Sequence, residues 1–251
     1  MNAPFDSLGT EETSRAALDA PRKVLLVFHR LESQSGAVGQ WLLNNGYTLD
    51  IRRPRFGDAL PETLAEHAGA IAYGGPMSAN DPDDFIRTEI DWLAVPLREE
   101  KPFFGICLGG QMLAKHLGAG VAPHPERLIE VGYYPINPTA DDGSATMPRH
   151  VYQWHTEGFG LASGAELLAA GEHFENQAFR YGKAAYGVQF HPEMTLAMIH
   201  RWTTNAAHRF GTPGARPRHE HIMGHTSHGP GLRRWLDGFM KTWLAAAAAV
   251  K

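Results

Sequence analysis

The sequence has one cysteine, Cys107, among its 251 residues, which excludes an internal disulfide. It has no excess of basic residues, since Lys and Arg number 23 against 27 Asp and Glu, and the formal net charge is -4. Nucleic acid and anionic membranes are therefore not expected as partners. Long apolar runs are missing as well. Neither a membrane-spanning segment nor the apolar core of a signal peptide is recognised, which predicts a cytoplasmic protein.

What the sequence does contain is an alternation of strand and helix patterns in its first half. The run VLLVF (residues 24–28) is apolar throughout, as in a strand that is buried on both faces of a parallel sheet. Further strands are predicted at residues 47–51, 69–73 and 102–106, and helices at residues 37–43, 61–67, 82–98 and 110–117. This order predicts an α/β fold with a doubly wound, flavodoxin-like, mostly parallel sheet and helices on both faces. In such sheets ligands bind beyond the carboxyl ends of the strands.

The second half has shorter strand patterns with short connections, and these predict a small antiparallel extension of the sheet. A helix is predicted at residues 194–210, a loop rich in Gly, Pro, Arg and His at 211–231, and a C-terminal helix at 232–250. Residues 1–21 lack apolar periodicity and are predicted to be a mobile tail before a single domain at 22–251. The loop carries histidines at positions 219, 221, 225 and 228, but tight metal sites usually include Cys or carboxylates, so no metal is expected.

Cys107 lies in the stretch GICLGGQM (residues 105–112), between a predicted strand and a predicted helix. A sulfur at that position lies at a helix N-terminus, where free N–H groups and the helix dipole favour a thiolate. A nucleophile at such a turn has a strained backbone and needs small neighbours, which Gly105 and Gly109 supply, as in the elbow of serine hydrolases. Most lone cysteines are small buried hydrophobes, however, so the assignment needs a second motif.

The stretch YGVQFHPEM (residues 186–194) supplies that second motif. A thiolate nucleophile requires a group that accepts and later donates a proton, normally a histidine oriented by a third group. A predicted strand ends at His191, Pro192 fixes the turn, and Glu193 returns to the side of the imidazole. A surface histidine followed by a first-turn helix acid is the alternative interpretation. Two such motifs in one α/β domain favour a Cys–His–Glu triad.

At these residues the chain resembles the class I (triad) glutamine amidotransferases, among them the amidotransferase domain of GMP synthase. Their elbow, Gly-x-Cys-x-Gly-x-Gln, is matched by GICLGGQ, and their distant His-Pro-Glu is matched by FHPE. The resemblance implies that Cys107 is the nucleophile, that His191 is the general base and acid, and that Glu193 orients the imidazole.

The resemblance extends to the stretch YGGPMSAND (residues 73–81), which is similar to the Gly-Gly-Pro loop of that family. It implies that the backbone N–H groups of Gly75 and Leu108 form the oxyanion hole. It also implies substrate contacts, for which the candidates are Gln111 and, in the stretch QWHTEG, Trp154, His155 and Thr156.

The activity implied by the resemblance is hydrolysis of a small γ-glutamyl amide through a γ-glutamyl thioester, with no cofactor. Family members usually pass ammonia to a synthetase, but no Walker loop or Ser-Gly-Gly loop is recognised, so the hydrolase half is expected to stand alone, with a separate synthetase subunit left open. Alternatives are a free-standing γ-glutamyl peptide or conjugate hydrolase and a catalytically silent regulatory protein. DJ-1/PfpI-like proteins, a third alternative, have a histidine directly after the cysteine, where this chain has Leu108. The sequence does not fix the oligomeric state.

Overall fold

A computed structural model describes residues 22–139 and 147–248, so the predicted tail at residues 1–21 lies outside the described residues. In chain order the elements are β1 (Lys23–Val27), α1 (Gly36–Asn44), β2 (Thr48–Arg52), β3 (His67–Ala72), α2 (Asp84–Trp92), α3 (Ala94–Arg98), β4 (Phe103–Ile106), α4 (Leu108–His116), β5 (Val121–Pro123), β6 (Glu130–Pro135), β7 (Asn137–Pro138), β8 (His150–His155), β9 (Glu157–Phe159), β10 (Ala165–Ala170), β11 (Asn176–Tyr181), β12 (Ala185–Val188), α5 (Leu196–Asn205) and α6 (Arg218–Ala248). Within these ranges, no helix combines the length and hydropathy needed to cross a membrane.

One eight-stranded sheet forms the centre of the fold, in the order β2-β1-β3-β4-β12-β11-β10-β7. The first five strands pair in parallel, and β11, β10 and β7 add antiparallel pairs at one side. The predicted doubly wound sheet with a small antiparallel extension is therefore confirmed. The strands β6 and β8 form a separate antiparallel pair, as do β5 and β9.

Helices cover both faces of the sheet. Along β1 the apolar side chains alternate between two cores, with Val24 and Leu26 in one and Leu25 and Val27 in the other. The first core includes residues of α1 and α6, and the second includes residues of α2, α3 and α4. Because both faces are covered, a continuous apolar run is the pattern that β1 requires.

The predicted loop at residues 211–231 is wrong over most of its length, because α6 begins at Arg218 and is helical through Pro230. Tertiary contacts explain the difference. His221 is fully buried, with its ring between the Tyr152 hydroxyl and a backbone carbonyl. A Cβ atom on Gly224 would lie 2.5 Å from the Tyr133 ring, so a glycine there permits close packing of the helix on β6. Packing of this kind outweighs the low helix propensity of Gly and Pro.

Two other predicted helices differ from the structure. Residues 61–67 are not helical, because their backbone serves tertiary partners: the N–H of Leu64 donates to the Glu99 carboxylate, and the Trp92 indole donates to the carbonyl of Pro61. The predicted helix at 82–98 is divided into α2 and α3 at Leu93. The predicted helix at 194–210 ends as α5 at Asn205 and continues as a 3-10 helix over Ala207–Gly211.

Candidate active site

Cys107 joins β4 to α4. Its backbone angles, φ 51° and ψ -105°, are ones that residues other than glycine rarely adopt. Its N–H donates to the carbonyl of Val188 in the neighbouring strand, which fixes the turn. A Cβ atom on Gly105 would lie 2.5 Å from the carbonyl of Gly109, and one on Gly109 would lie 2.2 Å from that of Ala72. Glycine is therefore required on both sides of the cysteine. Strain stored in this way is typical of functional sites.

His191 and Glu193 follow β12, the strand beside β4 in the sheet. Both residues are almost completely buried. Nδ1 of His191 lies 2.8 Å from Oε1 of Glu193. A Cβ atom on Gly74 would lie 2.8 Å from Cε1 of His191 and 3.4 Å from Cβ of Cys107, so the imidazole and the thiol are side by side. Nε2 of His191 is buried with no hydrogen-bond partner among the described residues, and the Cys107 side chain is among the groups that act electrostatically on this imidazole.

Backbone hydrogen bonds from β8 and α1 hold the turn that carries His191 and Glu193. The N–H of His191 donates to the carbonyl of Tyr152 on β8, at 2.8 Å. On the other side, the N–H of Ala37 at the start of α1 donates to the carbonyl of Glu193, also at 2.8 Å. Gly36 has φ 54°, and a Cβ atom there would lie only 2.0 Å from that carbonyl. The close approach of α1 thus holds the turn that carries the carboxylate.

His191 is charged at neutral pH in this environment. Burial disfavours the imidazolium, but the Glu193 carboxylate and the Cys107 sulfur outweigh burial and raise the pKa of His191 to about 10. An imidazolium beside a sulfur stabilises negative charge on that sulfur. The arrangement can therefore present a nucleophile and a proton donor to the same substrate atom pair.

The loop after β3 faces the elbow across the carboxyl ends of the strands. A Cβ atom on Gly75 would lie 2.9 Å from Cδ2 of Leu108, so the two residues of the predicted oxyanion hole are neighbours. Leu108 is the first residue of α4, and an N–H at that position has no partner within the helix.

A buried histidine and a buried glutamate support this loop, and neither was predicted from the sequence. His29, which follows β1, has Nε2 at 2.8 Å from Oε2 of Glu89 on α2, and its Nδ1 donates to the carbonyl of Gly74 at 3.2 Å. Both side chains are buried. The signal was the position of His29, directly after a buried parallel strand beside β3, where ligand-binding residues concentrate.

Gln111 and a further residue that was not predicted, Gln189, connect the elbow to β9. Nε2 of Gln111 donates to the carbonyl of Glu157 at 2.8 Å and to Oε1 of Gln189 at 3.3 Å. Nε2 of Gln189, which is fully buried, donates to Sγ of Cys107 at 3.7 Å. Gln189 is two residues before His191, and the alternation of side chains along a strand could have indicated that both face the same site.

The remaining predicted substrate residues have different surroundings. The Trp154 and Trp202 rings pack together with their centroids 5.4 Å apart. The Trp202 ring also contacts the His191 ring edge-on, at a centroid distance of 5.1 Å. Trp202 was not predicted from the sequence. His155 is buried, with Nε2 at 3.0 Å from Oε2 of Glu130, and its Nδ1 donates to the carbonyl of Glu157. Thr156 is exposed at the bend between β8 and β9. His155 therefore contacts the protein with both nitrogens.

The described residues include no group of three or more His, Cys, Asp or Glu side chains that could hold a metal ion. The four histidines at positions 219, 221, 225 and 228 lie on the first half of α6.

Known proteins are similar to this chain in sequence and in fold. The model of the glutamine amidotransferase class-I family matches residues 33–206. The glutamine amidotransferase-like protein YfeJ of Salmonella typhimurium is 32% identical over 191 residues, which cover 70% of this chain and 78% of that protein. One subunit of the glutamine-hydrolyzing GMP synthase of Thermoplasma volcanium is 39% identical over 135 residues, 50% of this chain and 62% of the relative.

Solved structures show the same architecture. A glutamine amidotransferase from Thermotoga maritima superposes with a TM-score of 0.79 at 28% identity, over 92% of this chain and 99% of the other. A glutamine amidotransferase from Methylobacillus flagellatus superposes with a TM-score of 0.83 at 24% identity, over 90% and 96% of the two chains, and shows the fold.

Proposed function

Because the chain belongs to the glutamine amidotransferase class-I family, we propose that it hydrolyses a γ-glutamyl amide and releases ammonia or an amine through a γ-glutamyl thioester on Cys107. The observation that carries the proposal is the buried His191–Glu193 pair beside a strained cysteine at a helix N-terminus. A surface histidine would not require a buried carboxylate partner, and a structural cysteine would not require a strained backbone.

In the first half of the reaction, Sγ of Cys107 attacks the γ-carbonyl carbon of the substrate. A C–S bond forms, and the carbonyl electron pair moves to the oxygen. The N–H groups of Gly75 and Leu108 donate hydrogen bonds to this oxyanion, and each such donor contributes about 3 kcal/mol. His191 then gives its proton to the nitrogen, the C–N bond breaks, and ammonia or an amine departs.

In the second half, water replaces the departed amine. His191, now neutral, takes a proton from the water as its oxygen attacks the thioester carbonyl. The tetrahedral intermediate collapses with cleavage of the C–S bond, which returns a thiolate beside an imidazolium and releases glutamate or a γ-carboxylate product. Glu193 keeps the imidazole in one orientation through both halves, since its Oε1 holds Nδ1.

Substrate binding is proposed for Gln111, Trp154 and Thr156. The hydrogen bonds of Gln111 to Glu157 and Gln189 would orient its amide toward the amino acid end of the substrate. His155 is given an indirect role, because its two nitrogens hold Glu130 and the carbonyl of Glu157. It would shape the bend that carries Thr156.

The fate of the ammonia is the second part of the proposal. The relative from Thermoplasma volcanium is named as one subunit of a glutamine-hydrolyzing synthase. By analogy, we propose that this chain delivers ammonia to a separate synthetase. The alternative is a free-standing γ-glutamyl hydrolase, and the two differ in whether glutamine or a larger γ-glutamyl compound is the preferred substrate.

A substrate screen tests the activity. Wild-type protein and Cys107→Ser are incubated with glutamine, γ-glutamyl peptides and γ-glutamyl amines, and ammonia or amine release is measured. We expect release by the wild type and none by the variant, because a hydroxyl lacks the acidity of a thiol at this position. Equal release by both proteins would remove Cys107 from the mechanism. No release from any substrate would favour a catalytically silent protein.

A further inference from the structure

A cavity lies away from the elbow, between the middle of α6 and the start of β8. Its volume is about 450 Å³, and its lining includes Arg149, His150, Ser227, His228, Arg234 and Trp235. A cavity of this size lies within the range of roughly 300–1,000 Å³ that is typical of small-molecule sites. None of the residues assigned to the Cys107 site lines it.

The lining of this cavity is basic. Two guanidinium groups and two imidazoles contribute to it, and none of the described lining residues is acidic. The arginines that form ion pairs within the described residues are Arg30, Arg52, Arg87, Arg98 and Arg180. Arg149 and Arg234 are not among them. Cationic groups gathered without a carboxylate repel one another, and a bound anion would relieve that repulsion.

The two histidines of the cavity form a stacked pair. The rings of His150 and His228 are nearly parallel, with centroids 4.0 Å apart and an interplanar angle of 6°. Two positive charges at that distance would repel strongly, and a bound anion would offset that repulsion. Burial, together with the neighbouring His228, lowers the pKa of His150. The Tyr133 ring of β6 also contacts His228, with the ring centroids 5.7 Å apart.

We propose that this cavity binds a phosphomonoester, a small molecule with one terminal phosphate. Arg149 and Arg234 would bind the phosphate oxygens, for which planar guanidinium groups are well suited. The His150–His228 pair would add a donor and, once protonated, a further positive charge. Trp235 and the adjacent Pro148 and Pro230 supply the apolar wall that the organic part of the ligand requires. This proposal does not depend on the chemistry at Cys107.

Calorimetric titration at constant ionic strength tests the proposal with phenyl phosphate and inorganic phosphate as probes. We expect saturable binding of phenyl phosphate with one site per chain, tighter than that of inorganic phosphate. Arg234→Gln should weaken it at least tenfold. Arg233→Gln is the matched control, since it removes the same charge from the adjacent exposed residue, which does not line the cavity. It should change the affinity less than twofold.

Several outcomes would overturn the proposal. One is the absence of saturable phenyl phosphate binding to the wild type. Another is an equal loss of affinity in Arg233→Gln and Arg234→Gln, which would indicate a general positive field. A third is binding of inorganic phosphate that is as tight as that of phenyl phosphate, which would exclude a phosphomonoester. Arg149→Gln serves as the second variant, and thermal unfolding without ligand verifies that each variant is folded.

Discussion

Replacement of His191 by alanine should reduce hydrolysis of a γ-glutamyl amide by about 1,000-fold or more, because the same imidazole serves as acid and base in both halves of the reaction. The step to measure is formation of the γ-glutamyl thioester in a single turnover, followed by mass spectrometry of the quenched protein. Because the variant leaves Glu193 buried without its partner, His191→Gln is examined as well, since an amide retains a donor for that carboxylate.

Two further substitutions separate the role of His191 from that of His155, the other histidine that was predicted near the substrate. Glu193→Gln should have an intermediate effect, because the imidazole remains but loses the charge that orients it. His155→Ala should raise KM and leave kcat within about tenfold, the signature of lost ground-state binding. Its ring nitrogens hold Glu130 and the carbonyl of Glu157, not the thiol. Rapid thioester formation in His191→Ala together with an inactive His155→Ala would reverse the assignment.

Gly75→Val should lower kcat by about 100-fold, the loss that accompanies removal of one oxyanion donor. A Cβ atom at this position would lie 2.9 Å from Cβ of His29 and 2.9 Å from Cδ2 of Leu108. The contact with Cβ of His29 cannot be relieved by side-chain rotation, because Cβ is attached to the backbone and the His29 ring is held at both nitrogens, so the loop must shift and carry its N–H away from the substrate oxygen.

The matched control for this substitution is Gly120→Val, because a Cβ atom there has no neighbour within 4 Å. It should leave kcat unchanged on the substrate identified by the screen. An undiminished kcat in Gly75→Val would show that the N–H of Gly75 takes no part in stabilising the oxyanion.

Local patterns sufficed to predict the sheet and the elbow, but not the first half of α6, which was predicted as a loop. The apolar run at residues 24–28 predicts a buried strand, and the glycines around Cys107 predict a tight turn. Both predictions need only a few neighbouring residues. The stretch before Pro230 does not predict its helix in this way, since Gly and Pro indicate a loop there. Its helix depends on contacts with Tyr133 and Tyr152, which lie far away in the sequence. Those contacts have no local signal.

The same distinction applies to the candidate site. Cys107, His191 and Glu193 were predicted because each lies in a short motif at the end of a strand. His29 and Glu89 were missed because their pairing joins residues 60 positions apart and supports the loop only through the carbonyl of Gly74. Such supporting residues become visible only once the strands are placed side by side.

Covalent labelling with the glutamine analogue diazo-oxo-norleucine tests the central claim most directly. Its ketone occupies the place of the γ-carbonyl and its diazomethyl carbon that of the amide nitrogen, so a nucleophile activated for γ-glutamyl transfer becomes alkylated at the diazomethyl carbon, with loss of dinitrogen. We predict one label per chain, located on Cys107 by peptide mass spectrometry, slowed by glutamine or the substrate found in the screen, and absent in His191→Ala on the same time scale. Protein that hydrolyses a γ-glutamyl substrate while Cys107 stays unlabelled would contradict the account.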